Sequence, residues 1–477
     1  MTAPAARTAT ISMWPADVWR WVPGGDWTVE LSGTAQALRV ADSQYVLTSG
    51  ARSRAGIMRE PHDNDFANVR MSINGRLGDA QFISATSWTT HEVDSRLDAT
   101  ASSALFGLAG PALFRDKRKY RLFNQEFRLS GDDGRWHWMT GLSLLQSPSA
   151  LNARLQSSDA PDMLIGTLDQ EAREWALFGD IGYDLGPRWT LETGARLFAT
   201  MIRDEKVSLD DPRQLKSTRR GISPSASLVF KPSPRQYYYV RFASAFRPRG
   251  LSPFAPVPQA QYASDELNAL ELGGRWHRAD RRLEGQAVLY TSKWTDIQSD
   301  YLLPNGLVAT RNSGKGQIYG ISLSGKWAFA PDWQLASSAE WQHAQLEKPI
   351  GDTAAIQDRQ LPVVPGYKAS VTLSRHFPLG PWQAETAAHL MLMGPTHLSL
   401  DPAIDRRVGP YEGLDLSLSA RRGQWRINLS VQNLFDSRAD SFAYGNPFSF
   451  AATSQHVSLR PRAIGIGLGW NFAADRD

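Results

Sequence analysis

From about Asp26 onward the chain alternates apolar and polar residues with a period of two, the pattern of strands with one greasy and one wet face. Trp425, Ile427, Leu429 and Val431 form one face of a run whose other face is Arg426, Asn428, Ser430 and Gln432. Leu414, Leu416 and Leu418 turn away from Asp415, Ser417 and Ser419, and Ile464, Ile466, Leu468, Trp470 and Phe472 alternate with three glycines and Asn471. Ile321, Leu323, Trp327 and Phe329, and Trp136, Trp138, Leu142 and Leu144, repeat the theme, while no long window keeps a 3.6-residue spacing. The pattern predicts an all-β chain.

The links between runs sharpen this. Short ones, rich in Gly, Pro and Asp, fall at 76–78, 131–134, 184–187, 232–234, 278–281, 330–332, 378–381 and 422–423. Longer ones alternate with them at 91–118, 146–171, 203–217, 247–264, 293–314, 344–365, 394–412 and 436–461. Short turns on one side and long loops on the other describe a transmembrane antiparallel up-and-down β-barrel of the outer-membrane type. Hydrocarbon forces such a sheet to close, because each unpaired backbone group there costs several kcal/mol. The runs predict about 18 to 22 strands, an even number if both ends lie on the short-turn side. The expected organisation is a short N-terminal segment at 1–25 with no recognisable plug or signal peptide, a barrel at 26–472 and a polar tail at 473–477.

Composition removes alternatives. With 52 Lys and Arg against 48 Asp and Glu the net charge is only +4, so the chain is no polybasic nucleic-acid binder. Mean hydropathy is −0.37 and no apolar run reaches the length of a membrane helix. Cysteine is absent, which excludes disulfide scaffolds, thiolate zinc sites and cysteine nucleophiles. Seventeen tryptophans suit a membrane-water boundary, and Trp189, Trp333, Trp382 and Trp425, at strand ends, are expected in an aromatic girdle.

Catalytic motifs are lacking. The nine histidines contain no i, i+4 pair and no HExxH, so no metal centre is expected. The stretch from Gly320 to Lys326 resembles a phosphate loop but continues with Trp327 where Ser or Thr should hold magnesium, and it lies in an alternating strand. Gly465, Gly467 and Gly469 are better placed on a crowded inner wall than in a dinucleotide fingerprint. No GxSxG occurs; a dispersed Ser/His/Asp set, as in an outer-membrane lipid hydrolase, stays open at this point.

Several segments resemble the barrel of TonB-dependent outer-membrane receptors. The C-terminal signature is Asn433-Leu434-Phe435-Asp436, then Arg460-Pro461-Arg462, then the strand ending at Phe472. Phe246 to Gly250, Leu270 to Gly273, Tyr290 to Gln298, Tyr319-Gly320, Leu361 to Pro365 and Gln125 to Ser130 are similar to mid-barrel landmarks in the same order. The resemblance implies a 22-stranded barrel in the Gram-negative outer membrane, a globular plug before it, and energy-coupled uptake of a scarce bulky nutrient, commonly a ferric siderophore. Its implied partners are outer-membrane lipid, the nutrient ligand, the barrel-assembly machinery, and the TonB complex only if a plug lies upstream. It implies no cofactor.

An anionic ferric chelate would be met by Arg and aromatic side chains on long loops. Arg247, Arg249, Tyr301, Arg406, Arg407, Tyr411 and Tyr444 fit that description, and so does a blander role as solvated loop charge or interfacial ring. Three functions follow: a receptor and transporter present here as its barrel portion, a passive channel or surface-binding barrel without energy coupling, and a β-rich enzyme.

Overall fold

The computed structural model describes residues 9–208, 212–256, 259–356, 358–441, 444–450 and 452–471. Nineteen strands form one sheet. The first ten are β1 (Ala9–Gly24), β2 (Trp27–Val40), β3 (His62–Leu77), β4 (Ala80–Asp98), β5 (Ala112–Asp133), β6 (Trp136–Ser157), β7 (Met163–Gly186), β8 (Trp189–Ser208), β9 (Arg213–Ser233) and β10 (Gln236–Arg247). The rest are β11 (Asp265–His277), β12 (Leu283–Thr295), β13 (Gly314–Ala330), β14 (Trp333–Pro349), β15 (Tyr367–Leu379), β16 (Trp382–Met393), β17 (Tyr411–Arg422), β18 (Trp425–Gln432) and β19 (Ala463–Trp470). Each pairs antiparallel with its predecessor, an up-and-down meander. Gly78, Gly134 and Gly423 take the positive φ that the tight turns demand.

Alternation sets the faces. Across the last ladders Ile464 lies opposite Val431, Ile466 opposite Leu429 and Leu468 opposite Ile427, and this row continues through Leu418 and Leu416. Ile464 is 79% exposed, Ile466 76% and Leu468 72%, so no second layer of protein covers them. An apolar face this broad and bare requires a lipid solvent. Trp189, Trp333, Trp382 and Trp425 each open a strand just after a short turn. There Trp189 stacks on Phe230 at 4.4 Å, and Trp425 meets Trp470 edge-on at 4.4 Å, a girdle on the short-turn rim.

The sheet departs from expectation in three ways. Ala9–Gly24, inside the segment set apart as 1–25, is a strand paired with β2. Val18, Trp19, Trp21 and Val22 are apolar at both parities, so no alternation stood out; Trp19 lies across from Leu31, and Arg20 holds Glu30 at 2.5 Å. Nineteen is odd, which places the start of β1 on the long-loop side and the end of β19 on the short-turn side. Finally, β4 to β9 run for 19 to 24 residues, so much of the expected loops at 91–118, 146–171 and 203–217 is strand. Their outer halves are polar on the outward face and held by cross-strand ion pairs such as Lys117–Glu92 at 2.7 Å. Polar outward residues break the apolar rhythm without breaking the ladder.

Among the described residues no ladder joins β19 to β1. The loops show that the sheet nonetheless curls until its ends approach. Val46, after β2, and His456, before β19, exchange backbone hydrogen bonds at 2.8 Å each way, and Arg52 reaches Asp436 at 2.6 Å. Phe472 and the tail 473–477 lie outside the described residues.

Candidate functional site

The long loops supply what the wall lacks, a buried apolar core. Phe114 of β5 packs on Phe448 of the β18–β19 loop at 5.0 Å between ring centres and on Phe254 of the β10–β11 loop at 6.0 Å. Leu155, Leu303 and Leu307 complete the cluster from two further directions. Strands β5, β10, β12 and β18 are not neighbours in the sheet, so their loops meet only by crossing the mouth. The result is a cap.

A polar seam ties the cap to the sheet ends. Glu60, fully buried, accepts from Tyr45 Oη at 3.1 Å, Arg54 Nη2 at 3.1 Å and Asn446 Nδ2 at 2.6 Å, and also from the Ser43 hydroxyl. Asn446 also donates to the Asp98 carbonyl at 2.6 Å. Burial and the neighbouring Glu60 carboxylate push the Tyr45 phenol well above its usual range. A buried carboxylate with this many donors joins three segments that are distant in sequence.

The candidate ligand residues sort by their partners. Arg247 Nε donates to both carboxylate oxygens of Asp265 at 3.0 Å, and its guanidinium lies 5.3 Å over the Trp294 ring. Asp265 is 2% exposed and also accepts from Trp294 Nε1 at 2.9 Å, so Arg247 clasps strand ends together. Tyr301 lies under Arg311 at 4.4 Å and packs against the cap's apolar cluster. Arg406 lies 3.9 Å from Asp440, which His456 Nδ1 also contacts at 2.6 Å. Arg406 Nε, Asp440 Oδ1 and Ser458 Oγ are buried there without a protein partner. Arg249 is exposed and touches Gln261 at 3.2 Å, and Arg407 is exposed on a two-residue strand that pairs with Thr396–His397. Tyr411 opens β17, half-buried. Tyr444 is 40% exposed and meets Phe450 edge-on at 5.8 Å. Burial, followed by nearby Asp405 and Asp401, pushes its phenol up to about 12 against the pull of Ser399, so it stays a neutral donor at physiological pH.

The C-terminal signature is a clasp. Asn433, at φ 49°, donates from its backbone to Asp415 at 2.8 Å and from Nδ2 to the Ser437 and Arg460 carbonyls at 3.0 and 2.8 Å. Asp436 accepts from the Arg462 backbone at 3.0 Å, and Arg462 Nη1 reaches the Leu434 carbonyl at 3.3 Å. Pro461 sits between the two arginines where the chain enters β19, and Phe435 is 56% exposed. The Arg462 backbone N–H and surrounding arginines hold the Asp436 carboxyl below its usual range.

Sequence reasoning missed His397. Its Nδ1 meets Asp405 at 2.6 Å and its Nε2 meets Asp358 at 3.0 Å, joining two loops. It also missed Phe448 and Glu60; no periodic signal marks residues whose contacts are made only across the mouth. Beneath the cap the lumen is polar, with opposed charge near the short turns. One recess of about 1040 Å³ is lined by Asp26, Asp79, Asp132, Asp180 and Glu192; another of about 510 Å³ is lined by Arg235, Arg275, Arg281 and Lys326.

The family model described as TonB dependent receptor-like, beta-barrel, matches residues 8–434. The chain belongs to this family. Its barrels reside in the Gram-negative outer membrane, and the aromatic rim and bare apolar wall have their place there. A pesticin receptor of Yersinia enterocolitica is 27% identical over 339 residues, 67% of this chain and 48% of that protein. A probable TonB-dependent receptor, BfrD, of Bordetella pertussis is 27% identical over 206 residues, 41% of this chain and 26% of the relative. The chain thus spans about half the length of the pesticin receptors it matches. Among solved structures, the ferric yersiniabactin uptake receptor FyuA from Yersinia pestis superposes with a TM-score of 0.78 at 20% identity, covering 94% of this chain and 68% of the receptor. The ferric-catecholate import receptor Fiu from E. coli K12 gives 0.77 at 14% identity, covering 98% and 75%. These structural likenesses establish the fold.

Proposed function

We propose that this chain is the barrel of an outer-membrane receptor and transporter that takes up a ferric siderophore or a similar bulky, anionic nutrient. The observation that carries the reading is the loop cap, a closure of packed loops over a polar lumen. Arg249, Arg407 and Tyr444 stand exposed beside it with donors suited to a chelate's oxygens. Arg247 and Arg406, already engaged with carboxylates, serve to hold the loops that present those groups, while Tyr301 and Tyr411 line them. The relatives, a pesticin receptor and a ferric yersiniabactin uptake receptor, support a receptor reading.

Transport in this reading depends on a plug and on the TonB complex, so binding is the part this chain can be tested for alone. Tryptophan fluorescence of the detergent-solubilised chain, titrated with a panel of ferric siderophores, should reveal saturable binding by at least one. Substituting Arg249, Arg407 and Tyr444 together with Ala should weaken it about a hundredfold, near 1.4 kcal/mol per tenfold step. Binding that ignores all three contradicts their role, and a panel without any binder contradicts the siderophore assignment. Planar-bilayer conductance separates the passive-channel alternative, since a capped mouth predicts a nearly closed barrel.

A further inference from the structure

The β18–β19 loop holds a side-chain cluster that ligand uptake does not use. His456 Nδ1 meets Asp440 Oδ2 at 2.6 Å, and its Nε2 meets the Ser454 hydroxyl at 3.1 Å. An ionised carboxylate can only accept, so the proton of the neutral ring sits on Nδ1. Nε2 therefore turns its lone pair toward Ser454, whose O–H donates to it. The other histidines lack this pairing. His397 also has its Nδ1 on a carboxylate, but its Nε2 is taken by Asp358 at 3.0 Å. His62 and His389 meet hydroxyls through Nδ1, with no carboxylate on the other nitrogen among the described residues.

Local structure holds the three side chains in place. Asp440 pairs with Ser458 in a short antiparallel ribbon, where the Ser441 N–H donates to the Val457 carbonyl at 2.7 Å and the Leu459 N–H to the Ala439 carbonyl at 2.9 Å. Ser454 and His456 stand two residues apart, so in an extended segment they share a face. The backbone of His456 is pinned by its two bonds to Val46. On the other flank the Thr453 N–H donates to the Ser449 carbonyl at 2.9 Å, and Nε2 of the buried Gln455 donates to the Asn446 carbonyl at 2.7 Å. Ser454 thus lies between fixed neighbours. Exposure falls along the series: Ser454 is open to solvent, the His456 side chain is 17% exposed and that of Asp440 13%. A reachable hydroxyl is backed by a shielded base and a shielded carboxylate, the order that an activated nucleophile needs.

We propose that Ser454, His456 and Asp440 form an acyl-transfer site that hydrolyses carboxylic esters at the long-loop mouth. Ser454 Oγ attacks the acyl carbon as its proton passes to His456 Nε2. The ester C–O bond breaks, the same proton goes to the departing alkoxide, and an alcohol leaves with Ser454 acylated. Water, deprotonated by His456, then attacks the acyl carbon; the bond to Ser454 breaks, Ser454 recovers the proton, and a carboxylic acid leaves. One ester and one water give one acid and one alcohol. Asp440 is a positioning residue that fixes the tautomer and the ring's orientation. An exposed hydroxyl with a single base suits esters, whose alkoxides leave more readily than amines. The site is independent of the siderophore reading and shares with it only the fold of the loops.

Fluorophosphonate labelling of the whole chain in non-ionic micelles, followed by peptide mass spectrometry, tests this, with p-nitrophenyl butyrate turnover as the second readout. The adduct should fall on Ser454 in preference to Ser158, an exposed serine whose hydroxyl meets Asp159 at 2.7 Å and no histidine. H456Q should slow labelling and turnover about a hundredfold. D440N should slow both at least about tenfold, and S158A should leave turnover unchanged. Heat-modifiable gel mobility confirms that each variant is folded, and the wild-type comparison of the two serines depends on no variant. An unlabelled wild-type chain, equal labelling of Ser454 and Ser158, or undiminished labelling in folded H456Q or D440N would overturn the proposal. S454A should lose turnover while ferric-siderophore binding persists, so failure of this site and failure of the uptake reading show separately.

Discussion

The wall and the cap solve the hydrophobic problem in opposite ways. In β18 and β19 the apolar side chains point outward and stay bare, with Ile466 76% exposed, and the ladder supplies cohesion because lipid leaves no competitor for the backbone hydrogen bonds. In the cap the backbone is irregular, and Phe114, Phe254 and Phe448 bury their rings against each other as in a water-soluble domain. One molecule therefore has two solvents. Substitutions in the wall should be felt according to what lipid tolerates, and those in the cap according to what packing tolerates.

The sharpest separation comes from Phe448→Ala. Truncating a buried ring should cost about 3 to 5 kcal/mol of local cohesion. Hydrogen exchange in residues 99–111 and 433–462 should accelerate while β13 and β14 remain protected; simultaneous loss in the wall would merge the two regions. Leu429→Arg should destabilise the folded barrel in lipid by about 2 to 4 kcal/mol if the residue lies near the midplane, measured by denaturant unfolding in vesicles. Ser430→Arg, on the lumen face, should cost less; equal costs would erase the distinction between the faces.

Asp265→Asn probes the junction between them. It removes the charge that Arg247 and Trp294 hold, and should cost about 2 kcal/mol, read as a lower unfolding midpoint. The smallest effect is the titration of Asp436. Its folded carboxyl lies below the ordinary 3.8, so the clasp's electrostatic contribution is complete at neutral pH and is lost as pH falls through that lowered value. Exchange protection of the β18–β19 loop should therefore fall only in strong acid, and Asp436→Asn should flatten that dependence.

Legibility in the sequence followed the same division. Period-two alternation in Trp425–Gln432 and Ala463–Trp470 read directly as strand with a lipid face, because a residue's neighbours on the sheet are fixed by parity. The outer halves of β5 to β9 were mistaken for loop, since Lys117 and Lys119 pair outward with Glu92 instead of presenting apolar groups. Arg247 was expected to present itself to a ligand from a long loop, but it closes β10, and nothing local revealed that Asp265, across the loop, already held it. Phe448 and Ser102 meet at 2.9 Å although 346 residues apart, a contact that only the closing sheet creates.

The account's central claim is that alternate residues of the wall touch hydrocarbon, and the absence of cysteine makes single-cysteine labelling clean. Fluorophores placed one at a time along Ile464–Trp470 and Leu191–Met201, in vesicles containing a lipid-attached quencher, should be quenched with period two, strongly at Ile466 and Leu197 and weakly at Gly465 and Arg196. Uniform quenching along either strand, or quenching by a water-soluble agent at Ile466 equal to that at Gly465, would contradict it.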